Sequence, residues 1–449
     1  MCGLVVFPSC SSNNLSVAER LVDTMQHRGF SETNGVVEHK GYVFGHTRLP
    51  IRGLNVRYDQ PFRMGEEVGV FVGEVFNLPG WKNDAEGALH EVIHGGGPYA
   101  ARHFDGFFSM AYTLGESLIV QTDHLGIKPL YFDEVHNVVA SELKVIAAAY
   151  TQQFDPLYFS NVAKWGYDPS TRTPFKNVRR LAPGTLLEFR GDNLIDEFCY
   201  FPLKPRKGNL RTAIETSVER RLISDIPVGV LCSGGLDSTI VALLAAQYVS
   251  DLTVFHVENE EEEFAALVPL PKTAKRIYVP MHPIDPADAY DATETPVDLG
   301  SVVPQYGLAE ALAELKFNVV LTGDGADELF GGYRRAAEYD SQYSDTFLEL
   351  PAYHLPRLDA IMMRKTIELR SPYLSPEVIE IALGIPYDQR RHKECLKAAF
   401  KDIVPEEILN RRKQALKTKA VEYGGVHYRN AVLERFKRLW SEKYDVLEG

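Results

Sequence analysis

Ser233-Gly234-Gly235-Leu236-Asp237-Ser238 follows the apolar run Val228-Gly229-Val230-Leu231-Cys232 and leads into a helix-favouring stretch from Thr239 to Tyr248. A strand that turns through glycines and hydroxyls into a helix builds an anion cradle. Glycines let the backbone approach a polyanion, Ser233 and Ser238 donate to it, and the helix N-terminus offers unpaired N–H groups at a positive dipole end. A carboxylate, Asp237, has no direct attraction for phosphate, so its place in the loop implies a bridging Mg²⁺. The Gly-Lys-Ser/Thr of a Walker loop is absent.

Outward from this loop, Arg211 to Leu222 reads as a helix and Thr253 to Val257 as the next strand. Helix, short apolar strand and helix in alternation predict a parallel sheet with crossover helices. A second block, Leu321-Thr322-Gly323-Asp324-Gly325-Ala326-Asp327-Glu328-Leu329-Phe330-Gly331-Gly332-Tyr333, again follows an apolar strand, Asn318 to Leu321. From Leu358 to Leu439 the pattern is almost wholly helical, and Glu260 to Glu263 reads as a solvated charged loop. Upstream, Pro202-Leu203-Lys204-Pro205-Arg206-Lys207-Gly208 has the chemistry of a linker. Before it, β-rich runs such as Val68 to Val72 and Phe107 to Tyr112 dominate, with helices near Ser16 to Gln26 and Glu86 to Ile93. The expected domains are 2–201 and 209–449, joined by 202–208.

A chain of 449 residues exceeds one ordinary core, which agrees with two domains. With 45% hydrophobic and 24% charged residues it is ordinary for a globular protein. A net charge of −13 repels nucleic acid and anionic lipid. No run reaches the roughly 20 apolar residues of a membrane span, and the first residues lack a secretory pattern, so the expected location is cytoplasmic. Five dispersed cysteines, Cys2, Cys10, Cys199, Cys232 and Cys395, read as reduced thiols outside any zinc site.

Cys2 stands behind an initiator methionine that is usually removed before a small residue, which would join a thiol to a free α-amine. The amine titrates near about 8 and the thiol near about 8.5, so nucleophile and base coincide. In Cys2-Gly3, His27-Arg28-Gly29, Gly45-His46-Thr47-Arg48-Leu49, Gly73-Glu74-Val75-Phe76-Asn77, Asp84 and Asp123 to Tyr131, the sequence resembles the class II glutamine amidotransferases, the N-terminal-nucleophile hydrolases. That resemblance implies a four-layer αββα domain. It also implies that Arg48 takes the glutamine carboxylate with a bidentate fork, that Asp84 meets its ammonium, that Glu74 lines the same pocket, and that Gly73 offers an oxyanion N–H. The family's second oxyanion donor is an Asn where this chain has Val72. Losing such a donor costs roughly 10²–10³ in rate.

The glycine loop and the Leu321 to Tyr333 block, with Glu368 to Leu374 and Pro405 to Lys413, resemble the asparagine synthetases, enzymes with an ATP-pyrophosphatase, adenine-nucleotide α-hydrolase-like α/β domain. By that resemblance Ser233, Gly234, Gly235, Asp237, Ser238, Thr322 and Gly323 border ATP, Leu231 and Val257 hold adenine, and Asp237 with Asp327 shares Mg²⁺. Lys413 is then the cation that stabilises charge on the adenylate phosphate as pyrophosphate leaves. Asp324 stands where the family usually has Glu, one methylene longer, and is taken as the acid-base residue. The region Glu258 to Arg276 is shorter than usual.

The implied reaction is glutamine-dependent, ATP-consuming amide formation. Glutamine, ATP and aspartate would be the substrates, β-aspartyl-AMP the intermediate, and a homodimer a possible assembly. Two other readings stay open at this point. One is an adenylating ligase of the β-lactam synthetase kind without glutaminase activity, favoured by Val72 and Asp324. The other is a catalytically dead binding protein.

Overall fold

The structure is a computed structural model that describes residues 2–9, 13–258, 262–280, 286–296, 299–333, 342–411 and 426–447. Its first half stacks two six-stranded sheets. One runs Val178–Arg180, Tyr131–Asp133, Val138–Ala140, Gly3–Pro8, Tyr42–Arg48, Phe30–His39; the other runs Asn193–Cys199, Thr185–Arg190, Ser117–Thr122, Gly106–Leu114, Glu67–Val75, Phe62–Met64. Period-two alternation sorts the side chains of each strand between two layers. Leu4 and Val6 face the inter-sheet core with Val68, Val70 and Val72, whereas Val5 and Phe7 turn outward under the helices Asn14–Asp23 and Leu143–Ala149. On the opposite outer face Phe71 and Val75 pack beneath the helix Asp84–His90. Strands buried on both faces read as near-continuous apolar runs, and the result is the four-layer αββα arrangement expected.

The second half is built on a five-stranded sheet ordered Lys275–Val279, Thr253–Val257, Val228–Leu231, Val319–Leu321, Glu368–Arg370, with every pair parallel. Its central strand feeds the helix Leu236–Tyr248, almost entirely buried, so this α/β half has helices on its sheet as the alternating pattern predicts. The chain then crosses back. Leu433, Phe436 and Trp440 of the helix Val426–Lys443 pack into the first half's outer core, and Val446–Leu447 pairs in parallel with Gln152–Gln153.

Two local expectations need correction. The stretch after Leu358 is interrupted by the strand Glu368–Arg370, which is three residues long and too short to show a period. The charged run Glu260 to Glu263 does not stay a loop, since Glu262–Leu267 is a helix carrying Phe264 and Ala265; residues 259–261 lie outside the described part.

Candidate active site

Cys2 sits at the head of the strand Gly3–Pro8, whose register sets Gly3 opposite Thr47 and brings the thiol beside Arg48 and Leu49. Burial pushes the thiol pKa up, while the Leu49 N–H and Arg48 pull it back. Arg48 is buried, and its guanidinium is already engaged. NH1 donates to Asp59 Oδ1 at 2.9 Å and to the Asn55 carbonyl at 3.3 Å, and NH2 donates to the carbonyls of Arg52 and Gly53. Asp84, the first residue of its helix, accepts from Val75 N at 2.8 Å and lies 3.8 Å from Arg52 NH1. Glu74 Oε2 lies 3.8 Å from Arg370 of the second half. Burial, then Asp84 and Glu368, raise the Glu74 carboxyl well above the usual carboxylate range, against the pull of Arg370 and Arg52. Val72 packs among the apolar side chains around Cys2. Gly73 is held at φ 123°, where a Cβ would collide with the Phe107 carbonyl, so only glycine fits.

At the carboxyl end of the second sheet the two quoted blocks meet. Ser233 N donates to Ser238 Oγ at 3.2 Å, and Ser238 Oγ donates to the Gly235 carbonyl at 3.2 Å, which closes the loop on itself. Gly234 has φ 70°, and a Cβ there would stand 2.6 Å from the Phe264–Ala265 backbone. Gly323 lets the second loop approach the first, since its Cβ would lie 3.0 Å from Asp237 Cβ. Leu231 and Val257, at the ends of adjacent strands, pack in one cluster. Thr322 N donates to the Arg370 carbonyl at 3.0 Å, and Asp324 N to Thr322 Oγ1 at 3.4 Å. Lys413 lies outside the described residues.

A lysine absent from the sequence expectations joins the two loops. Lys393 Nζ lies 2.5 Å from Asp237 Oδ2 and 2.6 Å from Asp327 Oδ1. His392 and Lys393 both adopt left-handed backbone, φ 57° and 62°, at a cost of about 1 kcal/mol each. At Gly332 a Cβ would collide with Asp327 and Lys393, which accounts for the glycine. Two carboxylates aimed at one nitrogen form a hard-oxygen pair that fits Mg²⁺, an ion commonly held by one or two carboxylates plus phosphate. Among the described residues no group of three or more His, Cys, Asp or Glu is placed to hold a metal.

Comparison with known proteins bears on both centres. A family model described as glutamine amidotransferase domain matches residues 1–200, and one described as asparagine synthase matches 209–357 and 340–446. The chain belongs to the asparagine synthase family. Asparagine synthetase B [glutamine-hydrolyzing] of Escherichia coli (strain K12) is 26% identical over 87% of this chain and 76% of its own. Asparagine synthetase [glutamine-hydrolyzing] 3 of Bacillus subtilis (strain 168) is 25% identical over 100% of this chain and 91% of its own. A putative asparagine synthetase [glutamine-hydrolyzing] of Mycobacterium bovis is 28% identical over 74% of this chain, which spans 60% of that protein's length. Membership supports glutamine-dependent amidation of the asparagine synthetase type.

In this family member the two halves are tied together by buried and half-buried ion pairs. Asp359 takes Arg28 NH2 at 2.7 Å and Lys128 Nζ at 2.6 Å, and Asp105 takes Arg220 at 2.8 Å and Arg221 at 3.2 Å. Beside Lys128 and Phe107 of the first half lies a cavity of ≈ 30 Å³, room for a water-sized molecule, bordered on the other side by Thr322, Asp324 and Ser371. Among the described residues no helix is long and apolar enough to cross a membrane. Sequence reading passed over Lys393, Arg370 and Arg52. Lys393 follows Arg390-Arg391-His392, and that basic run before a helix was the one local signal.

Proposed function

We propose that the chain makes an amide in two linked steps. At the first centre the Cys2 thiol, deprotonated by the α-amine that removal of Met1 frees, attacks the glutamine amide carbon and expels ammonia. Water then releases glutamate. Gly73 N–H is the oxyanion donor, Arg48 holds the substrate carboxylate after giving up part of its hold on the 52–55 loop, and Asp84 with Glu74 receives the ammonium. At the second centre a carboxylate attacks the α-phosphorus of ATP and pyrophosphate leaves into the cradle of Ser233, Gly234, Gly235 and Ser238. Thr322 and Gly323 border the nucleotide, and Leu231 with Val257 lines its base. Asp237 and Asp327 would hold Mg²⁺, which when bound neutralises phosphate charge. Lys413 stabilises the adenylate phosphate, and Asp324 handles the proton as ammonia displaces AMP. The proposed acceptor is aspartate, giving β-aspartyl-AMP and then asparagine.

The observation that carries this reading is the convergence of Asp237 and Asp327, from two separate loops, on one nitrogen at the end of the parallel sheet. The small cavity between Phe107 and Lys128 of the first half and Asp324 of the second would give ammonia room beside Asp324. The test measures AMP and pyrophosphate with aspartate plus glutamine or ammonia, and glutamate release by the native protein against Cys2→Ala. Aspartate-dependent AMP formation together with Cys2-dependent glutamate release is the expected result. Val72 in the apolar layer beside Cys2 favours a second reading, an adenylating ligase that dispenses with glutamine. Equal glutamate release by native and Cys2→Ala proteins, with AMP still formed, would establish it.

A further inference from the structure

Behind the proposed glutamine pocket, buried charges lead into the synthetase half. Arg370 is fully buried. Its Nε donates to Glu368 Oε1 at 2.6 Å, its NH1 donates to the carbonyls of Arg221 and Ile223 at 2.7 Å, and its NH2 faces Glu74 Oε2 at 3.8 Å, beyond hydrogen-bond reach. Glu74, Asp84 and Glu368 therefore share two guanidiniums, Arg52 and Arg370, which leaves this buried group one negative charge in excess when all are ionised. Among the described residues, Glu74 Oε2, Glu368 Oε2 and Arg370 NH2 also find no protein hydrogen-bond partner. With two guanidiniums for three carboxylates, Glu74 is the carboxyl pushed toward its neutral form, and an added cation such as the α-ammonium of glutamine would favour its charged one.

Arg370 also belongs to the second centre. Its carbonyl accepts the Thr322 N–H, and the next residue, Ser371, donates through Oγ to the Asp324 carbonyl. Glu368 already holds Arg370 Nε at 2.6 Å, so Glu74 at 3.8 Å is the looser of its two carboxylates and the one for which a bound ammonium would compete. The backbone of the same residue accepts from Thr322 and continues into Ser371, which is bonded to Asp324, so that competition reaches the nucleotide loop through Arg370 and Ser371.

We propose that Arg370 and Ser371 couple the two centres, so that occupancy of the glutamine pocket alters the affinity of the nucleotide loop. The proposal rests on the two-centre reading above. Arg370 is a positioning residue, touching neither ligand. Linkage is reciprocal, so nucleotide must change glutamine affinity by the same factor.

The experiment uses full-length Cys2→Ala protein, which binds glutamine without cutting it. Glutamine is titrated calorimetrically with and without Mg²⁺ and a non-hydrolysable ATP analogue. A shift in glutamine Kd of at least about fivefold is expected, falling to less than about twofold in Arg370→Lys and in Ser371→Ala. Ser371→Ala decides the matter if the buried Arg370→Lys protein fails to fold. No shift in the parent protein, or an undiminished shift in both variants, overturns the proposal. Absence of glutamine binding by protein that still binds nucleotide overturns the amidotransferase reading instead.

Discussion

Replacing Lys393 by Met removes the charge between Asp237 and Asp327 while keeping most of the stem that packs around it. All three side chains are close to nine-tenths buried, at 9% to 11% exposure. Deleting the cation from a buried ion pair costs up to about 3–5 kcal/mol. Spread over a half-chain of this size, that lowers the unfolding midpoint by roughly 6–20 °C, at about 2–4 °C per kcal/mol. A cation from solution can fill the gap. Mg²⁺ at a hundred times its Kd returns about 2.7 kcal/mol, whereas in the native protein it must first displace an ammonium and so returns less. Calorimetric scans in EDTA and in millimolar MgCl₂ should therefore show a large metal-dependent rise for Lys393→Met and a small one for the parent. Equal rises, or a midpoint in EDTA unchanged by the substitution, would refute the idea that these carboxylates form one cation site.

Three further outcomes follow from the geometry. Val72→Asn should raise the glutaminase kcat by about 10²-fold or more by restoring an oxyanion donor; an unchanged kcat would point to another donor already in place. Gly234→Ala puts a Cβ into the Phe264–Ala265 backbone at left-handed φ, at a cost of roughly 1–2 kcal/mol for the dihedral alone. ATP-analogue affinity should fall by tenfold or more while glutamate release stays within about twofold, and intact nucleotide binding would count against the loop as the cradle. Arg28 and Lys128 hold the Asp359 carboxyl below its usual range despite burial, and His27, Lys144 and Arg28 do the same for Glu142. A carboxylate with a depressed folded pKa stabilises fully above its unfolded value and loses that contribution as pH falls through the folded one. The junction should therefore be fully stable above about pH 5 and weaken progressively below about pH 4. Asp359→Asn, followed by acid denaturation, should flatten that limb.

Much of this molecule is legible one segment at a time. The Ser233 to Ser238 cradle, the strands Val228–Leu231 and Thr253–Val257, and the layered strands of the first half follow from glycine and hydroxyl placement and from hydrophobic period, whose causes act within a few residues. The same local chemistry marked Cys2 and Asp237 as residues to watch, whereas Asp327 was marked by the family resemblance of its block. Long-range pairing was not written there. Lys393 meets Asp237 across 156 positions, and Arg28 meets Asp359 across 331. Arg48 spends its fork on Asp59 and nearby carbonyls because the 52–59 loop folds over it. The strand Glu368–Arg370 exists because Val319–Leu321 offers it an edge, not because three residues carry a strand period. Ion pairs and short edge strands depend on what the rest of the chain brings within a few ångströms, and neither propensity nor spacing encodes that.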